Sequence, residues 1–428
     1  MEYIPRLVDA QLARALATHP VVLVTGARGV GKTTTAQQVA RSAAFFDDTA
    51  TLTVFQDNPE AALGQFQEPL LVDEWQLAPE VVRAIKRTVD GDRRPGRFIL
   101  TGSPDPQSRS EFQALTGRAA VVRLNPMTVR ERKLRVAPPS EASTVADLLS
   151  GTPPAGRPDH TPDIFEYLDL AAVGGFPEAA AGDSEAHAQA WCRDYLRVLL
   201  RRDLPLFGSR RSVSHFSRYL TASAHHATRS PEDGSLRNAA QVNPVTHREY
   251  RHILLDLDLT VELPAFASDA IRYLAKAPKL LFSDSGLLIA ALNVPLPRLK
   301  LNGELYGRVI ETFALSQILA ELEALDMKDA LSHLRTHKGT HEIDAVIETD
   351  DGGVVAVEVK SANRHRPADI KHIEWLAQQL GDRFRLGLVL TTGRYVSNVR
   401  SEVSDRIWAA PISVLWQRQP TDKAPSPE

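Results

Sequence analysis

A glycine-rich segment near the beginning of the chain has the residue types and spacing that bind nucleotide phosphates. It reads Gly26-Ala27-Arg28-Gly29-Val30-Gly31-Lys32-Thr33-Thr34, follows an apolar run at 21–25 and opens a helical pattern. Glycines let backbone N–H groups face phosphate oxygens, the lysine reaches the β- and γ-phosphates, and the threonine hydroxyl ligates Mg²⁺. We therefore predict an ATP-binding loop in which Lys32 contacts the phosphates and Thr33 contacts the metal.

An acid pair follows the next apolar run and supplies the residue types that hydrolysis requires. Residues 70–72 are apolar and lead directly into Asp73 and Glu74. Asp73 can hold Mg²⁺ through water, and Glu74 can orient and deprotonate the attacking water from one residue beyond it. A surface acid pair at a strand end is the alternative, but its combination with the phosphate loop makes ATP hydrolysis the favoured interpretation.

Three further residues are candidates for contact with the γ-phosphate. The apolar run at 97–101 ends in hydroxyl residues, so Thr101 or Ser103 could lie beside that phosphate. A turn whose hydroxyls are satisfied locally is an equally good explanation for either residue alone. Arg118 precedes a fourth apolar run and could stabilise charge in cis or from a neighbouring subunit, although an arginine before a strand is more often a surface residue.

A second group of chemically suggestive residues lies in the last third of the chain. Asp344 falls on a predicted strand at 342–348, and Glu358 and Lys360 fall on the next strand, where their spacing of two places them on one face. Antiparallel pairing would bring Asp344 beside them, and Glu311 on the preceding helix could add a third carboxylate. Such a set can bind Mg²⁺ or Mn²⁺ and cleave a phosphodiester, whereas the alternative is a surface hairpin with alternating charges.

The elements that must position the phosphate loop and the acid pair are predicted to form a parallel sheet. Apolar runs alternate with helical patterns, with strands at 21–25, 69–73, 97–101 and 119–124 and helices at 32–44 and 79–89. Strands separated by helices form parallel sheets with helices on both faces. The first third of the chain is therefore predicted to be an α/β unit.

Beyond this unit the sequence pattern changes twice. The segment 136–163 is rich in proline and glycine, which predicts a linker. The segment 164–295 is mostly helical and ends in the order helix, turn, helix and hairpin, which is typical of a winged helix but is shared by many helical domains. The segment 296–428 again mixes strands and helices, so it is predicted to be a separate α/β unit.

The bulk composition limits the class of protein. At 428 residues the chain is too long for one ordinary domain, and its formal net charge of −3 creates no overall field that attracts nucleic acid or anionic lipid. The single cysteine, Cys192, excludes an internal disulfide and fits a reducing compartment. No apolar run approaches the roughly 18 residues that span a bilayer. We therefore expect a cytoplasmic protein with no membrane partner.

Taken together, the motifs resemble a bacterial family in which an AAA-type P-loop ATPase domain is fused to a conserved C-terminal domain of unknown function. The matching segments cover nearly the whole chain and are 24–33, 71–76, 98–103, 115–118, 174–178, 278–287 and 358–360. The chain departs from the family at Ala27 and Gly29, where the family's loop usually has proline and glutamine, and its linker is long. Neither departure involves Lys32, Thr33 or the acid pair.

The resemblance implies an architecture with three domains and a linker. It implies an AAA-type parallel-sheet domain over 1–135, a linker over 136–163, a helical winged-helix-like domain over 164–295 and an α/β domain over 296–428. The last is similar to the restriction-endonuclease-like superfamily, whose signature is Asp…Glu-x-Lys. Under this resemblance the cofactors are ATP and Mg²⁺, with a second Mg²⁺ or Mn²⁺ at the C-terminal carboxylates.

Two functional hypotheses follow, and the sequence leaves both open. In the first, the chain is an ATP-driven enzyme that cuts or grips DNA through its C-terminal site. In the second, it is a nucleotide-controlled switch whose C-terminal domain is an inactive binding module. The set of carboxylates with Lys360 favours the first hypothesis, and the weakly acidic net charge favours the second. A homo-oligomer is compatible with both.

Overall fold

The structure is a computed structural model that describes most of the chain. The described residues are 3–102, 111–134, 143–154, 160–182, 184–207, 212–229, 233–267, 271, 277–336 and 339–416. Ser103, one of the predicted γ-phosphate contacts, lies outside these residues, as do 135–142 and 155–159 of the predicted linker. Within the described residues the fold comprises a parallel-sheet unit, a helical middle unit and a C-terminal sheet unit.

The first unit is a five-stranded parallel sheet with the strand order β2-β3-β4-β1-β5. Its strands are β1 (Val21–Thr25), β2 (Ser42–Phe45), β3 (Leu70–Asp73), β4 (Phe98–Thr101) and β5 (Ala119–Arg123). Its helices are α1 (Asp9–Thr18), α2 (Lys32–Gln37), α3 (Thr49–Asp57), α4 (Pro59–Leu63), α5 (Glu80–Gly91) and α6 (Val129–Leu134). The central strands are buried on both faces, as expected for a parallel sheet covered by helices. All five carboxyl ends therefore share one edge.

The predicted helix over 32–44 is wrong beyond its first turns. α2 ends at Gln37, and residues 42–45 form β2, which pairs in parallel with β3. Threonines at 33–35 restrict side-chain rotamers in a helix, and Ala44 is buried against the sheet. Pairing with β3 satisfies the backbone groups of this segment, so tertiary context overrides the local helical pattern.

The middle unit is helical, as predicted, and contains one antiparallel pair of strands. Its elements are α8 (Ile164–Val173), α9 (Pro177–Ala180), α10 (Glu185–Arg202), α11 (Val213–His225), α12 (Asp233–Ala240), α13 (Pro244–Asp256), β6 (Thr260–Leu263), β7 (Lys279–Phe282), α14 (Ser285–Leu292) and α15 (Leu296–Leu299). A short helix α7 (Thr144–Leu149) precedes them. The Asn243 side chain accepts a hydrogen bond from Thr246 N, and Pro244 occupies the first helical position, which fixes the start of α13.

Helix α14 lies at the centre of the middle unit. Every one of its eight residues is buried, because the sequence of this helix is apolar on all sides. Asp284 begins the helix by accepting a hydrogen bond from Leu287 N. Within the described residues, no helix combines the length and apolar character that crossing a bilayer requires.

The C-terminal unit is a six-stranded mixed sheet preceded by a long helix. The strand order is β12-β13-β11-β10-β9-β8. The elements are α16 (Gly303–Ala324), β8 (Leu331–Arg335), β9 (Glu342–Glu348), β10 (Val354–Lys360), α17 (Pro367–Leu380), β11 (Phe384–Thr391), β12 (Ser397–Asn398) and β13 (Ile407–Pro411). β9 and β10 pair antiparallel, as their predicted turn requires, whereas β10 and β11 are parallel.

Buried polar contacts join the first unit to the C-terminal unit. Arg130 on α6 forms an ion pair with Glu321 on α16 at 2.9 Å, and the two side chains are only 5% and 2% exposed. The Ser143 hydroxyl donates a second hydrogen bond to Glu321 at 2.9 Å. Thr144, on α7 within the predicted linker, donates to the carbonyl oxygen of Val414 at 2.7 Å. This part of the predicted linker is therefore packed against the C-terminal unit.

We expect Glu321→Gln to destabilise the whole chain. Removing one charge of a buried ion pair leaves the other charge uncompensated, which costs about 3–5 kcal/mol. Thermal and denaturant unfolding would measure the change. Glu60→Gln is the matched control, because the Glu60 side chain and its partner Arg87 are 44% and 60% exposed, and the loss of this pair should leave the unfolding curve nearly unchanged. Equal effects of the two substitutions would contradict this assignment.

Candidate functional site

The phosphate loop lies at the carboxyl edge of the first sheet, between β1 and α2. Gly26 and Gly31 have φ angles of 135° and 104°, which side chains rarely tolerate. A Cβ atom on Gly26 would lie 2.3 Å from the carbonyl oxygen of Leu124, so this position requires glycine on packing grounds as well. Glycine is therefore needed at these positions of the loop for its backbone conformation, as expected for a loop whose backbone N–H groups face phosphates.

Lys32 extends across the inside of this loop. Its Nζ atom donates hydrogen bonds to the carbonyl oxygens of Gly26 at 2.8 Å and Ala27 at 3.0 Å. Burial lowers the pKa of Lys32, and the carboxylates of Glu74 and Asp258 oppose this shift. The loop thus fixes a cationic group at the position where phosphate oxygens are expected.

Thr33 and Asp73 lie together, as the metal-site prediction requires. The Thr33 hydroxyl donates to Asp73 Oδ1 at 2.8 Å, and the Thr101 hydroxyl donates to the same oxygen. Asp73 and Thr101 are register partners on β3 and β4, so the sheet itself positions this second contact. Burial raises the pKa of Asp73, while both hydroxyls act to lower it. A hydroxyl and a carboxylate at this separation are suitable oxygen ligands for Mg²⁺.

Glu74 occupies a strained position directly after β3. Its φ and ψ angles are 55° and 42°, in the left-handed region that is uncommon for residues other than glycine and that recurs at functional sites. Gln76 donates a hydrogen bond from Nε2 to the Glu74 carboxylate. The buried Gln76 Oε1 atom has no hydrogen-bond partner among the described residues. Gln76 therefore orients the proposed base, a role that the sequence alone did not suggest.

Arg118 lies at the wrong edge of the sheet to act within the same chain. It precedes β5, its backbone oxygen accepts a hydrogen bond from Val21 at the start of β1, and its guanidinium pairs with Asp90 at 2.6 Å. A strand of five residues separates this edge from the phosphate loop by about 16 Å. The cis role considered for Arg118 is therefore wrong, and only action from a neighbouring subunit stays a prediction.

The other end of the same strand carries an arginine that was not predicted. Arg123 is the register partner of Thr25, the last residue of β1, so it lies at the loop edge. Its guanidinium contacts Asp258 of the middle unit at 2.5 Å. The sequence of β5 gave no indication of this contact, because the contact depends on how the first unit packs against the middle unit.

A cavity of about 280 Å³ separates the loop from the middle unit. On one side it is lined by Gly26, Ala27, Arg28, Gln76 and Leu77. On the other it is lined by residues at and just after the ends of α10 and α13, including Arg202, Asp203 and Asp258. The middle unit therefore forms a second wall beside the residues that were predicted to hydrolyse ATP.

The C-terminal residues Glu311, Asp344, Glu358 and Lys360 do come together. Asp344 Oδ2 accepts a hydrogen bond from Val359 N at 2.9 Å, and Asp344 N is 3.4 Å from Glu358 Oε2. Lys360 Nζ contacts Glu358 Oε1 at 2.5 Å. Antiparallel pairing of β9 with β10 produces this arrangement, as the sequence predicted.

Lys279 is the residue that sequence reasoning missed at this site. It lies on β7 of the middle unit, its side chain is 1% exposed, and its Nζ atom contacts Glu311 and, at 3.1 Å, Asp344. Burial acts to lower the pKa of Lys279, but the carboxylates of Asp344 and Glu311 raise it above its ordinary value. Lys279 is the one charged residue in the run 278–282, which was the only available signal.

This lysine changes the interpretation of the carboxylate cluster. Burial and the charge of Asp344 raise the pKa of both Glu311 and Glu358. Among the described residues, no group of three or more histidine, cysteine or acidic side chains has an arrangement that could hold a metal ion. The predicted second Mg²⁺ or Mn²⁺ is therefore not supported, because the Lys279 ammonium group already contacts two of its three predicted ligands.

Three family models match the chain. Residues 18–133 match an AAA domain, residues 164–298 a domain of unknown function (DUF8612) and residues 306–415 another domain of unknown function (DUF4143). The first unit is an AAA-type P-loop domain. The other two matches carry no function, so the nuclease-like core and the winged helix stay predictions.

Two mycobacterial relatives are similar over most of the chain. Proteins of Mycobacterium bovis and Mycobacterium tuberculosis, both described as uncharacterised, are each 29% identical over 345 residues. The alignment covers 79% of this chain and 70% of each relative. The aligned residues span more than one unit of this chain, and the descriptions of the two relatives indicate no activity.

Two solved structures show a distant likeness. A Walker-type ATPase of Pyrococcus abyssi is 15% identical, with a TM-score of 0.36, and the alignment covers 67% of this chain and 94% of that protein. A STAND-type signal-transduction ATPase of Pyrococcus horikoshii, with a tetratricopeptide repeat sensor, is 14% identical with a TM-score of 0.22, over 76% of this chain and 48% of that protein. No functional conclusion follows from likenesses this weak.

We expect Lys279→Met to produce a pH-dependent loss of stability. Lys279 holds the pKa of Asp344 below its ordinary value and opposes the rise that burial causes in the pKa of Glu311. Without the ammonium group both carboxyl groups must ionise while buried, so both pKa values in the folded chain rise. A carboxyl group whose pKa is higher in the folded chain than in the unfolded chain lowers the free energy of unfolding as the pH increases past its pKa in the unfolded chain. The melting temperature should therefore fall relative to the unsubstituted chain much more at pH 8 than at pH 5.

Lys300→Met provides the control for this prediction. Lys300 pairs with Asp169, but both side chains are substantially exposed, at 33% and 43%. Its substitution should have the same small effect at both pH values. A Lys279→Met chain that melts like the unsubstituted chain at pH 8 would show that the cluster does not depend on this lysine.

Proposed function

We propose that the chain is a Mg²⁺-dependent ATPase whose nucleotide state controls the contacts of its C-terminal unit. The hydrogen bond between the Thr33 hydroxyl and Asp73 carries the first part of this proposal. It brings the end of the phosphate loop to the end of β3, where Mg²⁺ would be held and would neutralise phosphate charge. The loop backbone over 26–34 would hold the phosphates of ATP, with Lys32 at the β- and γ-phosphates.

Hydrolysis is assigned to the residues that follow β3. Glu74 orients and deprotonates the attacking water, and the hydrogen bond from Gln76 fixes the direction of its carboxylate. Thr101 holds Asp73 from the neighbouring strand. Arg118 would reach a γ-phosphate only in a neighbouring subunit of a homo-oligomer, where its pairing with Asp90 would have to break.

The second part of the proposal concerns the C-terminal unit, which acts as a binding module. Its carboxylates form ion pairs with Lys279 and Lys360 of the chain itself, which supports a structural role over metal-dependent cleavage. Asp258 lines the cavity at the loop and lies two residues before β6, and β6 pairs with β7, which carries Lys279. The segment that runs from Asp258 into this hairpin therefore extends from the cavity to the carboxylate cluster.

A DNA-acting enzyme is the second candidate. Its supporting observation is that Asp344 and Lys360 both contact Glu358, with the Lys360 side chain 31% exposed. In this alternative, Lys279 would have to leave the cluster before a metal could bind. The winged-helix-like order of α11 to α13 and the β6–β7 hairpin would then supply a further DNA contact.

Substitutions in the loop and the acid pair test the ATPase proposal. Lys32→Ala should abolish ATP binding, because it removes the cation that the loop directs at phosphate. Glu74→Gln should retain ATP binding but lower the turnover rate by about a hundredfold, the effect of losing a general base. Binding would be measured by calorimetry and turnover by phosphate release.

Glu80→Gln is the matched control for Glu74→Gln, since Glu80 is an exposed acid on α5 of the same unit. Its turnover should equal that of the unsubstituted chain. Normal phosphate release by Glu74→Gln would show that another group acts as the base. Normal nucleotide affinity in Lys32→Ala would refute the assignment of the loop.

The response to nucleic acid distinguishes the two candidate functions. If the C-terminal unit is a binding module, duplex DNA should leave the ATP turnover rate unchanged, and Mn²⁺ with or without ATP should yield no cleavage of DNA or RNA. Cleavage that disappears in both Asp344→Ala and Lys360→Ala would instead establish the second candidate. Cleavage that persists in both variants would indicate a contaminating nuclease.

A further inference from the structure

An ion pair beside the phosphate loop joins the first unit to the middle unit. Arg123 ends β5 next to Thr25, and its guanidinium contacts the Asp258 carboxylate at 2.5 Å. The two side chains are 22% and 11% exposed, so the pair is largely withdrawn from solvent. Solvent therefore screens these two side chains only weakly from a change in nearby charge.

Asp258 is held rigidly in a position that faces the loop. Its φ angle is 53°, and the Ser283 hydroxyl donates to its backbone oxygen at 2.6 Å. Asp258 lines the cavity together with Gly26, Ala27 and Arg28, and its carboxylate contacts Arg123. The same carboxylate counteracts the lowering of the Lys32 pKa, which places its negative charge within electrostatic reach of the phosphate-binding lysine.

The cavity lies on the side of the loop where the terminal phosphate would be. Its walls include the first residues of the loop and Gln76, which holds Glu74. Because Glu74 must face the water that attacks the γ-phosphate, this wall marks the γ end of a bound triphosphate. The phosphates of ADP would not extend to this wall, because ADP lacks the γ-phosphate.

We propose that Arg123 and Asp258 form a γ-phosphate-responsive pair, in which the γ-phosphate repels Asp258 and accepts hydrogen bonds from the Arg123 guanidinium in its place. This inference rests on the proposed ATPase function. It assigns to Arg123 the stabilising role that Arg118 cannot perform within the chain. It also makes Asp258 a residue that distinguishes ATP from ADP, because only ATP adds charge at this end of the site.

Nucleotide affinities of two opposing variants test the exchange of partners. The full-length chain would be titrated with ADP and with a non-hydrolysable ATP analogue, both with Mg²⁺. Asp258→Asn should tighten binding of the ATP analogue by about tenfold, since it removes repulsion and frees Arg123. Arg123→Gln should weaken it by about tenfold, because a charged hydrogen bond is lost. ADP affinity should change less than about twofold in either variant.

The matched control is Asp194→Asn, another acid-to-amide change in the middle unit. Asp194 lies on α10 with its side chain 65% exposed, paired with Arg197, and both affinities should stay as in the unsubstituted chain. Arg123→Lys should recover part of the analogue affinity, which a purely structural role would not predict. The affinity of each variant for ADP reports that its site is folded.

The outcomes separate this inference from the function on which it rests. An unsubstituted chain that binds neither nucleotide would refute the proposed ATPase function. An unsubstituted chain that binds both, with variants that change both affinities equally or neither, would overturn the Arg123–Asp258 inference alone. Opposite shifts of the analogue affinity in the two variants, with constant ADP affinity, would establish it.

Discussion

Buried charge has to be neutralised within this chain, and that constraint ties its three units together. Arg130 of the first unit pairs with Glu321 of the C-terminal unit, and Arg123 of the first unit pairs with Asp258 of the middle unit. Lys279 of the middle unit is enclosed by carboxylates of the C-terminal unit. Each charge would be costly without its partner. A unit that moves away from its neighbour therefore leaves a buried charge without a partner, unless another charged group pairs with it.

Nucleotide phosphates are a source of such replacement charge. They would enter beside Asp258, which lies two residues before β6, and β6 pairs with β7, which carries Lys279. Under the proposed function, a change at the loop would act on the carboxylate cluster through this hairpin.

The features that could be predicted from the sequence are those that depend on local residue patterns and on the direction of the strands. The contact of Thr33 with Asp73 follows once β1 and β3 are recognised as parallel strands, because their carboxyl ends share an edge. The helix expected over 32–44 was wrong after Gln37, since pairing with β3 outweighed local propensity. Lys279 and Arg123 were not predicted at all. Their roles depend on contacts between units that are distant in sequence, and no periodicity encodes such contacts.

If nucleotide bound at the loop changes the environment of Lys279, the rate at which an acylating reagent modifies the Lys279 amine should change with the nucleotide. The chain would be treated with an acylating reagent in the presence of Mg²⁺ and either ADP or a non-hydrolysable ATP analogue, and labelling quantified by mass spectrometry. We expect several-fold more labelling of Lys279 with the analogue, because its buried amine would separate from Asp344, while the partly exposed Lys300 should react equally in both states. Equal labelling of Lys279 in both states, with both nucleotides bound, would contradict it.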